Sequence, residues 1–249
     1  MKTLFFIIPV LILILTLSSC QSKSEKTHNR LTYVGGKTIS VPEPSGLELT
    51  YDKKGFWTVS DETSTIYKLN SDGIVVSTIK VNGFDLEGVT TVSDTTIAVI
   101  LERTREVVLL DTSGNEIRRK ALGLKGEANS GLEGITYIPE SGQFYLLNEK
   151  KPSMLIELDS MFNIINIDTL NFSKDVSGIF YDKKNKCLWI LSDENQLVVK
   201  TDMHGNVKEK MEISIVQPEG ITITPDGKRL FIVSDNKEAL YLYDMEDDK

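Results

Sequence analysis

Histidine and cysteine, on which much metal and acid–base chemistry relies, are nearly missing: the 249 residues include only His28, His204, Cys20 and Cys187. So few histidines exclude histidine-rich zinc sites, histidine dyads and Ser-His triads. Positive charge is also short, with 28 Lys and Arg against 36 Asp and Glu and a net charge of −8. That balance gives no basic surface for nucleic acid or anionic lipid, and no nucleic-acid partner is expected. The sequence contains no G-x-S-x-G, no phosphate loop and no EF-hand loop. Its long apolar run, Leu4 to Leu17, is interrupted by Pro9 and Thr16 and is too short for a comfortable membrane span.

That run follows Lys2 and ends in Leu17-Ser18-Ser19-Cys20, a pattern similar to a bacterial lipobox, in which the cysteine thiol is lipidated and the preceding peptide removed. The expected organisation is a lipoprotein signal peptide over 1–19, a polar tether over 20–30 and one folded domain over 31–249. An ordinary secretory signal with an incidental cysteine is the alternative, and either route takes the chain out of the cytoplasm. Lipid on Cys20 would hold it to a membrane, facing the periplasm or exterior, with inner and outer membrane both open. Cys187, in the strand-like run Lys186-Cys187-Leu188-Trp189-Ile190, reads as a small buried thiol.

What the chain has in abundance is repetition. Ser45-Gly46, Glu87-Gly88, Glu133-Gly134, Ser177-Gly178 and Glu219-Gly220 recur every 42 to 46 residues. An acidic residue follows each glycine by 14 or 15 positions (Asp61, Glu102, Glu149, Asp193, Asp235), and Asn70, Asp111, Asp159, Asp202 or Asp244 comes nine or ten further on. A period of this length built from short strands is the signature of a propeller, where each repeat is one blade that cannot bury its faces alone.

Each repeat carries three short apolar runs, such as Ile135-Thr136-Tyr137, Phe144 to Leu147 and Met154 to Leu158, separated by turn residues. Asp52-Lys53-Lys54-Gly55 and Pro225-Asp226-Gly227-Lys228 read as hairpin loops, and Asn70-Ser71-Asp72-Gly73 leads into a fourth run. The last repeat lacks its fourth run, and Lys37-Thr38-Ile39-Ser40-Val41 is the candidate to supply it and close the ring. The expected fold is therefore all-β, a five-bladed propeller of four-stranded antiparallel blades; a six-bladed ring with one degenerate blade is the alternative. Trp57, Val99, Tyr145, Trp189 and Phe231 share one position in the second run and are expected to pack between blades.

Because the first two strands of a blade form a hairpin, the Ser/Glu-Gly pair and the following acid lie at one end of it. Glu87, Glu133 and Glu219, with Ser45 and Ser177, should therefore ring one mouth of the axis, inside a wider ring of Asp61, Glu102, Glu149, Asp193 and Asp235. Crowded carboxylates repel, and a hard divalent cation such as calcium, with its six to eight oxygen ligands, suits such a mouth. The same spacing equally suits glutamates that cap backbone N–H groups of the next blade and aspartates that close turns. Lys150, Arg103 and Lys237 adjoin the acids and could hold an anion. Calcium-assisted hydrolysis by a carboxylate base, of the lactonase-like or phytase-like kind, is thus the enzymatic alternative to a binding module, and no catalytic residue is singled out.

The ordered set Asp85-Leu86-Glu87, Gly131-Leu132-Glu133-Gly134, Asn148-Glu149-Lys150-Lys151-Pro152, Asp175-Val176-Ser177-Gly178 and Pro218-Glu219-Gly220 resembles the SdiA-regulated (YjiK-like) family across residues 31–244. The resemblance implies an extracytoplasmic five-bladed propeller, distantly similar to NHL-repeat propellers, with calcium at a recurrent site. Carried over residue by residue, the ion falls on Glu87, Glu133 and Glu219 first and on Glu102 and Glu149 next. The family name records transcriptional control of one member, so it assigns no signalling role here. No activity comes with the resemblance; what it leaves is a binding module whose acidic mouth meets a protein partner or a small ligand.

Overall fold

The computed structural model describes residues 30–127 and 129–246, and all twenty strands lie between Leu31 and Met245. The signal segment and Cys20 fall outside the described residues. Blade 1 contains β2 (Pro44–Leu49), β3 (Gly55–Ser60), β4 (Thr65–Asn70) and β5 (Val75–Lys80). Blade 2 contains β6 (Leu86–Thr91), β7 (Thr96–Leu101), β8 (Glu106–Asp111) and β9 (Glu116–Ala121). Blade 3 contains β10 (Leu132–Ile138), β11 (Gln143–Asn148), β12 (Met154–Leu158) and β13 (Ile164–Thr169). Blade 4 contains β14 (Ile179–Asp182), β15 (Cys187–Ser192), β16 (Leu197–Thr201) and β17 (Val207–Glu212). Blade 5 takes β18 (Pro218–Ile223), β19 (Arg229–Ser234) and β20 (Ala239–Met245) from the end of the chain and β1 (Leu31–Thr38) from its start.

The ring is thus five-bladed and closed by the N-terminal strand as expected, with Lys37 and Thr38 of the expected run at the end of a longer strand. β1 pairs with β20 from Leu31↔Met245 to Thr38↔Ala239, so it begins six residues before the run Lys37 to Val41 and includes its first two residues. Ile39 and Val41 instead leave the sheet and bury among Leu47, Phe56, Leu69 and Val233, between blades 5 and 1. Their apolar character made them look like a strand, whereas the true outer strand is largely exposed and sequence-neutral. Covering β20 removes a row of unpaired backbone groups that would invite aggregation.

Five separate apolar cores fill the five gaps between blades. The second-strand stripe feeds them: Trp57 lies between blades 1 and 2, Tyr145 between 3 and 4, and Trp189 between 4 and 5, beside Cys187. Burying each large side chain contributes about 1.5–3 kcal/mol, which no single blade could obtain alone. The third acidic series is structural. Asn70, Asp111, Asp159 and Asp202 each accept two backbone N–H bonds across the turn into the fourth strand, at 2.8–3.0 Å. Asp244 makes no such turn because its strand pairs with β1 instead.

The repeated glycines are explained at the axis. A Cβ on Gly220 would lie 2.4 Å from the Gly46 carbonyl carbon and the Leu47 nitrogen, and one on Gly178 would lie 2.7 Å from the Glu219 carbonyl oxygen. Inner strands approach backbone to backbone there, so only glycine fits. The glycines and the following Leu47, Val89, Ile135, Ile179 and Ile221 constrict the axis to a space of about 10 Å³.

Candidate metal centre

One residue before the constriction, the inner strands break register. The pairing skips between Leu86 and Gly88, between Leu132 and Gly134, and between Pro218 and Gly220, leaving Glu87, Glu133 and Glu219 out of the ladder. Each is a β-bulge residue, and a bulge redirects a side chain that regular pleating would send into a blade. These glutamates, with Ser45 and Ser177, line a cavity of about 230 Å³ at one mouth of the axis. The second ring joins them from the ends of the neighbouring strands. Backbone bonds from Glu102 N to Asp85 O, Glu149 N to Gly131 O and Asp235 N to Gln217 O fasten each strand end to the approach of its inner strand.

The expected constellation therefore assembles, with refinements. Asp61, Glu149, Asp193 and Asp235 line the same cavity, while Glu102 lies just outside it. One carboxylate oxygen from each of Glu102, Glu133 and Glu149 lies within 4.8 Å of the others, and Asp85, Glu87 and Glu102 form a second such group. Asp175 and Glu194 also line the cavity and were not singled out as site residues. Asp175 stands two residues before Ser177, as Asp85 stands two before Glu87, so the signal was a second acidic position in register with the first.

The alternative reading, that the acids cap backbone groups, holds for part of the outer ring. Glu102 accepts the Gly131 N–H at 2.9 Å and Asp193 accepts the Gln217 N–H at 3.1 Å, each tying one blade to the next. Asp175 accepts the N–H groups of Asp193 and Glu194 at 2.9 and 3.1 Å and the Ser192 hydroxyl at 2.7 Å. The inner ring is different. Burial first, and then neighbouring carboxylates, act on Glu133 and Glu219, with no hydrogen bond prominent among the influences.

The electrostatic consequence is a strained mouth. Burial holds Glu87 well above the usual carboxylate range, reinforced by Asp61 and Glu219 and opposed by the Ser45 hydroxyl. Glu133 is likewise held well above that range by burial, with Glu87 and Glu219 adding to it. Glu219 is pushed to about 8 by burial together with Asp193 and Asp235. Glu102 reaches about 7, burial outweighing the Gly131 hydrogen bond, and Asp61 reaches about 6, again chiefly through burial. Glu133 and Glu219 keep part of their surface open to the cavity, so water reaches them from one side only. Lys150 is the one cation lining the cavity among the described residues, and it is paired with Glu149. Arg103 is engaged with Asp85 at 2.6 Å, and Lys237 does not line the cavity.

The family profile described as SdiA-regulated matches residues 29–243, nearly the whole ring and every acid of the mouth. This chain belongs to the SdiA-regulated family. Solved structures add the breadth of the architecture. The SdiA-regulated chain superposes on glutaminyl cyclase of Myxococcus xanthus with a TM-score of 0.68 at 13% identity, covering 87% of this chain and 97% of that one. A chain of a nidogen/laminin complex gives 0.60 at 16% identity, covering 81% and 76%, and a luciferin-regenerating enzyme gives 0.55 at 14%, covering 87% and 96%. At these identities the likeness is one of fold, and function has to be argued from the site.

Proposed function

We propose that this SdiA-regulated protein is a calcium-binding propeller that acts outside the cytoplasm, tethered to a membrane through lipid on Cys20, and that its acidic mouth is the binding face of the module. The observation that carries the reading is the inner ring, where among the described residues Glu87, Glu133 and Glu219 crowd together with the Ser45 hydroxyl on Glu87 as the one hydrogen bond prominent among their influences and no cation paired to them. Burying like charges costs several kcal/mol, and a cation shared among them is the simplest compensation. The donor set is all oxygen, and the close approach of Glu102, Glu133 and Glu149 suits the 2.3–2.6 Å reach of calcium better than a site requiring nitrogen or sulfur ligands. Glu133 and Glu149 with Glu102, joined by Glu87 from blade 2 and Glu219 from blade 5, would hold the ion. When bound, it would supply positive charge and open coordination positions toward the cavity.

The cavity leaves room above the carboxylates for a ligand, and Lys150 at its wall could orient an anionic one. That feature keeps a hydrolytic activity as the second reading. It lacks a candidate base free of the cluster, so binding of a protein partner or small ligand is preferred.

The experiment is the melting midpoint of the chain from Arg30, stripped with chelator and titrated with calcium and, separately, magnesium. A ligand specific to the folded state adds about 2.7 kcal/mol at a hundredfold excess over its dissociation constant. A calcium-selective rise that disappears in Glu133→Gln is expected; an unchanged midpoint with both ions would overturn the ion and the hydrolytic reading together. The anchor is tested independently by labelled fatty-acid incorporation, expected in the wild type and lost in Cys20→Ser.

A further inference from the structure

The axis has a second mouth, beyond the glycine constriction and facing away from the acids. Two residues after each repeated glycine stand Glu48, Thr90, Thr136, Phe180 and Thr222, and the last residues of the inner strands and the loops that follow widen into a cavity of about 350 Å³. Four of these five positions hold hydroxyls or a phenyl ring, and blade 1 alone places a carboxylate there. Glu48 is only 9% exposed. It accepts the Leu49 N–H at 2.8 Å, but the hydroxyls of Thr90 and Thr222 stand at 3.4 and 3.5 Å, the limit of a useful bond. Burial pushes it up to about 7, and Lys53 opposes this through space, without an ion pair. Threonine at the equivalent position of three other blades shows that packing does not require a carboxylate there.

The rest of the cavity has a clear polarity. Tyr137, Phe180 and Tyr181 form an apolar wall, and the lining's other carboxylate, Asp182, is engaged by the Asn185 backbone and side-chain N–H groups at 3.0 and 2.7 Å. Lys53, Lys183 and Lys184 stand exposed at the rim, Lys183 reaching Glu140 at 3.4 Å. In a chain of net charge −8, lysines around one opening select for an anionic group there. The volume lies in the range of small-ligand sites, which are mostly apolar with a few placed polar groups.

We propose that this second mouth binds a small amphipathic zwitterion, of the size of an apolar amino acid or dipeptide, with its ammonium on Glu48, its side chain against Tyr137, Phe180 and Tyr181, and its carboxylate at Lys53 and Lys184. The ammonium supplies the cation that the buried carboxylate lacks, and the contrast between buried Glu48 and the exposed lysines fixes the ligand's direction. Nothing in the arrangement depends on the acidic mouth, from which it is separated by the constricted axis.

All twenty strands lie downstream of Arg30, so the chain from Arg30 is the unit to test by titration calorimetry. The probes are L-phenylalanine and L-phenylalanylglycine, against phenethylamine, which lacks the carboxylate, and phenylpropionate, which lacks the amine. At least one zwitterion should bind saturably, with either truncated probe at least tenfold weaker and with the same affinity in chelator as in calcium. Losing a charge-assisted hydrogen bond should weaken Glu48→Gln at least tenfold. If Glu48→Gln does not melt as a folded protein, the exposed-rim variants Lys53→Ala and Lys184→Ala carry the test with the same expected loss. Absence of saturable binding by both zwitterions, phenethylamine binding as tightly as phenylalanine, or full affinity in a folded Glu48→Gln would each overturn the assignment.

Discussion

The acidic mouth predicts an inverted response to pH. A carboxyl whose pKa rises on folding holds its proton more tightly in the folded state, so it favours folding at low pH, and that contribution is lost as pH climbs through the folded value. For Glu219 the window runs from 4.5 to about 8. Across the roughly three pH units from 5 to 8, at about 1.4 kcal/mol per unit, one such group would remove ~4 kcal/mol; water in the cavity screens this to ~2–3 kcal/mol. Glu87 and Glu133 act in the same direction. Carboxylates that folding acidifies, such as Asp111, Asp159 and Asp226, titrate below the usual range and leave this window unaffected. For a domain of this size the melting midpoint of chelator-treated protein should therefore fall by roughly 5–10 °C from pH 5 to pH 8. On the proposed function calcium should abolish most of the slope, because an ion held by these carboxylates would bind their ionised form and stabilise the folded state most where protons are already gone. Calorimetric scans at three pH values, with and without calcium, decide the matter. A chelated protein whose midpoint is flat or rises between pH 5 and 8 would refute the argument that these carboxylates are buried against one another.

Three further outcomes follow from packing and capping. Gly220→Ala places a methyl 2.4 Å from backbone atoms of blade 1 and should cost about 3 kcal/mol or more, read as a loss of melting temperature, whereas Gly227→Ala meets nothing within 4 Å and should cost less, chiefly through its φ of +75°. A chain beginning at Ile39 loses β1 and bares the edge of β20, and should elute from size exclusion as oligomers or aggregate; a monomer with unchanged melting would count against ring closure by β1. Glu102→Gln keeps an oxygen for the Gly131 N–H, so stability in chelator should hold to within about 1 kcal/mol while the calcium response is lost; a large loss of stability in chelator would make Glu102 a cap only.

Much of the blade plan was legible because it rests on period and turn chemistry, both local properties. The Ser/Glu-Gly spacing marked the inner strands, and the Asn70, Asp111, Asp159 and Asp202 turns marked the third-to-fourth crossings. The closing strand was legible in place but not in extent: Lys37 and Thr38 are its last residues, while Ile39 and Val41 are apolar for a different reason, filling the gap between the first and last blades. The site was legible in outline, since a hairpin must bring its two ends to one face. Which acids cap and which stand unpartnered was not legible, because Glu102 and Asp193 find their donors 29 and 24 residues away, in the next blade. Nor did the repeat register expose Glu48, which departs from its threonine equivalents without any local motif to mark it.

The repeated pair joins the fold to its chemistry. Glycine lets the inner strands meet at the axis, and that approach forces the preceding residues of all five blades toward a common mouth. Five glutamates there would compound the repulsion that already raises Glu87, Glu133 and Glu219. Two blades carry serine instead, and each serine relieves the crowd in a different way. Ser45 gives a hydrogen bond to Glu87, and Ser177 donates to the Pro218 carbonyl at 2.6 Å, bracing the strand that carries Glu219. The outer ring then supplies further carboxylates at larger radius, where water and backbone N–H groups offset part of their charge. Such a graded arrangement confines the least compensated carboxylates to the inner ring, where the proposed cation would act. A metal-free packing role would be better served by threonine at all five positions, as the opposite side of the constriction shows in three of its five blades.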